Sequence, residues 1–209
     1  MLVSRRFFVG LTFAGLSSGA LARAAVERPP AGGPVGAEVD PTLMERALQA
    51  LERHRDTLPH RDIIGVTDFS LHSRTPRFHL VNLTDGRVRS YLVAHGRGSD
   101  PAHTGWLERF SNEPRSNATS AGAYRTGTLY EGAHGHSMHL DGLDPTNSNA
   151  ASRAIVVHGA WYVSEAMIGH SGGLGRSQGC FAVANSSVGE IMSTLGTGRL
   201  IYADRSLPG

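Results

Sequence analysis

Apolar positions recur at helical spacing near the start of the chain, at Leu43, Met44, Ala47, Leu48 and Leu51. Asp40 offers an N-cap and Pro41 suits the first turn. The spacing therefore predicts a helix from residue 41 to about Arg55, closed by Pro59. Beyond it the pattern shortens. Residues 63–71 are rich in β-formers, and 77–83 alternate. After Thr84-Asp85-Gly86 a second run covers 88–94, a strand–turn–strand signal. Further short strands are predicted over 122–130, 137–140, 154–158 and 199–203, with an apolar run at 180–183. A helical turn is predicted over 162–168 and a short helix from Ser186 to Leu195, where Glu190 makes an imperfect capping signal. Residues 95–120 form a polar segment long enough to mark a functional or disordered loop. The order predicts a mainly β domain with a few peripheral helices.

The first 24 residues do not fit that domain. Ser4-Arg5-Arg6-Phe7-Phe8 precedes an apolar run through about Leu21, and Ala22-Arg23-Ala24 offers a small-x-small cleavage site. The run is shorter than the roughly 20 residues of a membrane span. It reads as an export signal over 1–24, of twin-arginine type because of the paired arginines. The expected location is the periplasm, with no membrane span after processing. Residues 25–40, rich in proline and glycine, read as a flexible linker, and 41–209 as one catalytic-sized domain. Loss of Arg5, Arg6 and Arg23 takes the formal charge from +2 to −1. The basic balance therefore gives no support for nucleic acid binding, and no Lys/Arg run with interleaved aromatics exists. A monomer is expected.

Cys180 is the single cysteine of the 209 residues. In an exported chain it cannot close an internal disulfide, so it is a buried bystander, an intermolecular partner or a nucleophile. It follows Arg176-Ser177-Gln178-Gly179. The apolar run ending in His158-Gly159 lies 22 residues upstream. An imidazole held at a strand end can take the thiol proton and support a thiolate. Gly179 permits close backbone approach. The N–H groups of Gln178, Gly179 and Cys180 are candidate oxyanion donors.

The words around this pair carry more. They are Leu92-Val93-Ala94-His95-Gly96-Arg97-Gly98-Ser99, Phe110-Ser111-Asn112, Gly122-Ala123-Tyr124-Arg125-Thr126, Leu140-Asp141-Gly142-Leu143-Asp144, Arg153 through Ala160, Tyr162-Val163-Ser164, and Gly175 through Cys180. In this order, over roughly residues 68–202, the chain resembles the murein L,D-transpeptidase catalytic domain family. That family is a divergent branch of the YkuD-like L,D-transpeptidases. The resemblance implies an L,D-transpeptidase-like β-sandwich or barrel. It also implies a cysteine transpeptidase acting on peptidoglycan stem peptides through a Cys180 thioester, with His158 as base and then acid and no cofactor. Gln178 and Ala182 stand where the main branch has His and Arg. The substrate-holding role of that arginine is expected to fall to Arg176 or Arg153. Ser177, Gly159, Tyr124 and His95 are expected around the substrate, His95 in a groove wall with Ser111 and Asn112.

Other readings compete. With water as acceptor the same site is an L,D-carboxypeptidase. His134, His136, His139 and Asp141 resemble metal ligands and would make a zinc peptidase, although alternation on a strand sends His139 away from a His134/His136 face. A wall-binding module with an idle cysteine is the non-enzyme reading. His170, in a glycine-rich stretch, is a second candidate base. The main reading needs no metal.

Overall fold

The computed structural model describes residues 38–206. The predicted leader and residues 25–37 of the predicted linker lie outside the described residues. Helix α1 (Pro41–Arg53) opens as its sequence dictates: the Asp40 carboxylate accepts from the Leu43 N–H at 3.0 Å, and Pro41 occupies the first turn. Leu43, Ala47, Ala50 and Leu51 are buried, whereas Leu48 faces solvent. Burying side chains of leucine size contributes roughly 1.5–3 kcal/mol each. The helix stops at Arg53, several residues before Pro59.

The described residues form a nine-stranded sheet. Its strands in chain order are β1 (Ile63–Asp68), β2 (Phe78–Asn82), β3 (Val88–Tyr91), β4 (Val93–Ala94), β5 (Gly122–Gly132), β6 (Gly135–Gly142), β7 (Val156–Ala160), β8 (Phe181–Ala184) and β9 (Leu200–Asp204). The spatial order is β3-β2-β1-β9-β5-β6-β7-β8-β4. The β1–β9 and β7–β8 pairs are parallel, the rest antiparallel. The two edge strands, β3 and β4, are consecutive in the chain, with Leu92 alone between them. A sheet whose first and last strands adjoin must roll round on itself, and this one does so about a single core.

That core alternates with the pleat. Phe78 and Leu80, Tyr91, Val93, Tyr124, Met138 and Leu140, Val157, Phe181 and Val183, and Ile201 point inward, so every strand from β2 onward contributes. Helix α3 (Val188–Leu195) adds Ile191, Met192 and Leu195. Ser187 makes no side-chain cap there, in keeping with the imperfect signal in the sequence. Helix α1 covers the outer face of β1 and β9 through Leu43, Ala47, Ile64, Val66, Leu200 and Tyr202. A smaller cluster, Ala94, Ala160, Val163, Leu174 and Ala182, covers the outer face of β4, β7 and β8. Helix α2 (Glu165–Ser171), capped by the Ser164 hydroxyl on the Met167 N–H, starts a turn later than the sequence pattern predicts and buries no side chain. No helix among the described residues is long and apolar enough to cross a membrane.

Candidate active site

Register places the cysteine and the histidine together. His158 on β7 pairs with Ala182 on β8, and Val157 with Phe181. Val157 and Phe181 enter the core, so His158, Ala182 and the residue before the strand, Cys180, turn to the outer face. One strand across and two residues along, the Cα atoms of Cys180 and His158 are about 8 Å apart by strand geometry. Two side chains that lean toward each other can span that.

Each side chain is held from behind. His158 is buried, and its Nδ1 donates to the Gly159 carbonyl at 2.9 Å. A carbonyl can only accept, so this bond fixes the tautomer and leaves Nε2 with its lone pair. Nε2 has no hydrogen-bond partner among the described residues. His134, at the tip of the β5–β6 hairpin, stacks on the His158 ring with centroids 4.4 Å apart. Burial pushes the His158 pKa down, and His134 adds to this, while the Gly159 carbonyl opposes it. Cys180 is half-buried, with Sγ 3.6 Å from the Ala154 carbonyl oxygen. Ala154 holds a left-handed φ of 52°, uncommon for a residue with a Cβ, and that turn aims its carbonyl at the thiol. Burial pushes the Cys180 pKa up; the Val156 N–H and the Arg153 charge pull the other way. Both shifts run against the charged forms, the thiolate and the imidazolium, with burial as the first cause of each.

The turn before Cys180 is braced rather than loose. The Ser177 hydroxyl donates to the Cys180 carbonyl at 2.7 Å and accepts from the Gly179 N–H at 3.1 Å. The Ser177 N–H donates to the His95 carbonyl, and the Arg97 N–H to the Ser177 carbonyl, both at 2.9 Å. Gly179 has φ 115°, and a Cβ there would stand 2.7 Å from the Ala118 carbonyl oxygen.

These contacts correct several sequence expectations. Ser177 is buried and locks the turn, and the Gly179 N–H is already engaged by its hydroxyl, leaving the Gln178 and Cys180 N–H groups as candidates for the oxyanion role. His95 is no groove wall. It is buried behind the turn, accepting on Nδ1 from Arg77 at 2.8 Å and donating from Nε2 to Asp100 at 3.2 Å. Burial and the Arg77 charge push its pKa down to about 3. Tyr124 is core, its hydroxyl donating to the Ser120 carbonyl at 2.8 Å and its ring edge-on to Phe181. Asn112 pins the 145–149 segment through Pro145, Ser148 and Asn149.

The two arginines proposed for a substrate carboxylate also have other partners. Arg153 lies beside Gly179, but donates to the Ser111 and Ala118 carbonyls and to the Ser116 and Ser120 hydroxyls. Arg176 donates to the carbonyls of Asp100 and Pro101. Arg115 makes no salt bridge or side-chain hydrogen bond to a described residue. It lines a pocket of about 410 Å³ with Asn117, Arg153 and Gln178. The sequence offers no signal for it, since it lies in the long 95–120 loop.

The metal-like residues are dispersed. His134 stacks on His158, His136 bonds Glu131 at 2.9 Å, His139 stacks on Tyr130 at 4.2 Å, and Asp141 pairs with Arg125 at 2.7 Å. Among the described residues no three His, Cys, Asp or Glu side chains converge as ligands. His170 is exposed in the last turn of α2, not in a loop.

A family model described as the L,D-transpeptidase catalytic domain matches residues 36–203. The chain belongs to this family. The match covers the sheet except Asp204, so the pairing of His158 with the β8 entry is part of the L,D-transpeptidase domain itself. Among solved structures the domain is similar to an L,D-transpeptidase from Mycobacterium smegmatis, at 13% identity and a TM-score of 0.42, covering 68% of this chain and 58% of that one. An L,D-transpeptidase from Mycobacterium tuberculosis gives 13%, 0.41, 69% and 58%. The helical cell shape determining protein Pgp2 of Campylobacter jejuni gives 12%, 0.47, 81% and 58%. This L,D-transpeptidase domain thus spans under three-fifths of the length of those chains. No curated protein matches it.

Proposed function

We propose that this domain is a cysteine-dependent L,D-transpeptidase acting on peptidoglycan stem peptides outside the cytoplasmic membrane, after export on its twin-arginine-type leader. The observation that carries this is the half-buried Cys180 thiol beside a histidine whose Nδ1–H is tied to the Gly159 carbonyl, so that its Nε2 lone pair is unengaged. His158 Nε2 takes the Sγ proton as Sγ attacks the carbonyl of an L,D bond. The oxyanion forms against the Gln178 and Cys180 N–H groups, each such donor being worth a few kcal/mol. Collapse expels the terminal D-residue as an amine, which receives the proton from His158. A side-chain amine of a second stem then attacks the thioester, gives its proton to His158 and releases the thiol. Arg115 holds a substrate carboxylate in the pocket beside Gln178. Water in place of the second amine makes the same site an L,D-carboxypeptidase.

The test uses residues 25–209 with muropeptides and product masses. Cross-linked or exchanged stems mark transfer, and loss of the terminal residue alone marks hydrolysis. Cys180→Ser should keep the fold and lose both products. It should also lose the mass adduct that a carbapenem leaves on an activated thiol. Product at the wild-type rate from Cys180→Ser would remove Cys180 as nucleophile.

A further inference from the structure

A second pocket, of about 420 Å³, opens on the face that carries Cys180 and His158. Its floor includes Ala160 and Ala184, which pair with each other on β7 and β8. By alternation they share the outer face with His158 and Ala182. Ala184 follows Cys180 by four residues, a separation of about 13 Å along an extended strand. Trp161 stands at the rim and is 73% exposed. Single exposed apolar side chains are ordinary. A tryptophan over a pocket of ligand size is not.

The lining selects a ligand class. It offers the hydroxyls of Ser186 and Ser187 and the amide of Asn185, while the Ser90 hydroxyl is held by His79 and the Ser164 hydroxyl caps α2. The Asn185, Ser186 and Ser187 side chains make no hydrogen bond to another described residue. Lys, Arg and His are absent from the lining, and its one charged side chain is Glu165. A carboxylate or phosphate would find no counter-charge. A neutral ring rich in hydroxyl and amide groups, with an apolar C–H face for the indole, fits both surfaces.

A path joins this pocket to the thiol. The Trp161 ring meets Tyr162 edge-on at 5.9 Å. Tyr162 packs against Gly175, in the run leading to Cys180, and accepts from the Gly175 N–H at 2.9 Å. The ~13 Å between the Cys180 and Ala184 backbones is about the span of an extended peptide of four residues. Stem peptides of that order hang from a sugar of the glycan strand. We propose that the Trp161 pocket is a sugar subsite, holding the glycan end of a muropeptide whose stem carbonyl lies at Cys180. This rests on the transpeptidase reading for its substrate, though not for its first measurement.

That measurement is binding of an N-acetylglucosamine trisaccharide to the Cys180→Ala protein, followed by tryptophan fluorescence and by NMR. Trp161→Ala should weaken binding about tenfold or more, the loss expected for an aromatic anchor, whereas Trp106→Ala should not. Trp161 is exposed, so thermal unfolding should be unchanged. The second measurement is turnover. Trp161→Ala should raise KM for a disaccharide-bearing stem and leave the free stem peptide unaffected. Equal trisaccharide binding by the Cys180→Ala protein with and without Trp161→Ala overturns the subsite. Equal KM rises for both substrates overturn it in favour of a peptide occupant. If neither substrate turns over but the trisaccharide still depends on Trp161, the catalytic reading fails and the sugar site stands.

Discussion

At the scale of single residues, Cys180 and His158 stand out as candidates in the sequence because one is the single thiol and the other ends an apolar strand, and register brings them to one face. Where a neighbouring side chain points was not legible. His95, Ser177 and Tyr124 stand in the words that carry the family resemblance, yet each is turned inward and holds the backbone. Arg153 shows the same limit, since nothing in a sequence says that four acceptors from residues 111–120 will surround one guanidinium. The raised thiol and lowered imidazole pKa values lead to a prediction. Alkylation of Cys180 by iodoacetamide should climb through pH values above the usual thiol range of about 8.5. A rate already level below pH 7 would mean a preformed ion pair instead. His158→Ala should cost about 10²–10⁴ in acyl transfer, the general acid–base contribution, while leaving that alkylation midpoint nearly in place.

Elements were legible where local patterning fixes them. The N-cap and apolar stripe of α1 and the Asp85-Gly86 turn between β2 and β3 needed only their own residues, and Gly86 has the positive φ, 74°, that the turn requires. Two elements depended on distant partners. The run 88–94 reads as one strand, but it divides at Leu92 because β3 pairs with β2 and β4 with β8. Strand β6 extends beyond its apolar centre into polar Gly135-His136 and Asp141-Gly142, since β5 supplies a ladder at both ends. The turn into β8 carries the prediction of this scale. Gly179→Ala must hold φ near 115° and place its Cβ against the Ala118 carbonyl, so something has to shift. A cost of about 1–3 kcal/mol is expected in a denaturant titration, together with loss of carbapenem acylation. An unchanged midpoint and a normal adduct would show that the turn does not set the position of Cys180.

For the molecule as a whole, the class was legible and the closure was not. Counting short strands predicts a mainly β domain, but which strands adjoin depends on pairings between residues far apart in the chain. The rolled sheet buries Arg77, which donates to the carbonyls of Leu71 and Val93 and to His95, with Asp100 on the far side of that ring. His79, His95 and His158 all have pKa values pushed below the usual 6.5, by burial first in each case. Above pH 6.5 they are neutral folded or unfolded, and the stability is complete. As pH falls, the unfolded chain takes up protons that the folded one refuses, so stability declines toward pH 3. His95, pushed down to about 3, should remove on the order of 1 kcal/mol per pH unit over that window, and His79 and His158 add in the same direction. Denaturant midpoints measured from pH 7.5 to 4.5 should therefore fall steadily, and a flat series would contradict these burials.

The pairing of β1 with β9 has a temporal consequence. Gly65 lies beside Ile201 and Asp68 beside Asp204, so β1 waits for a strand made about 135 residues later. Beyond β9, strand β5 needs the same late partner on its free side. A nascent chain on the ribosome can form α1 and the β2–β3 hairpin, but it cannot complete the sheet until residue 204 is released. Contacts of such long sequence separation slow the search and favour all-or-none assembly. The sheet that carries the thiol is therefore complete only once residue 204 has emerged, and a chain cut short before β9 leaves both β1 and β5 without that partner.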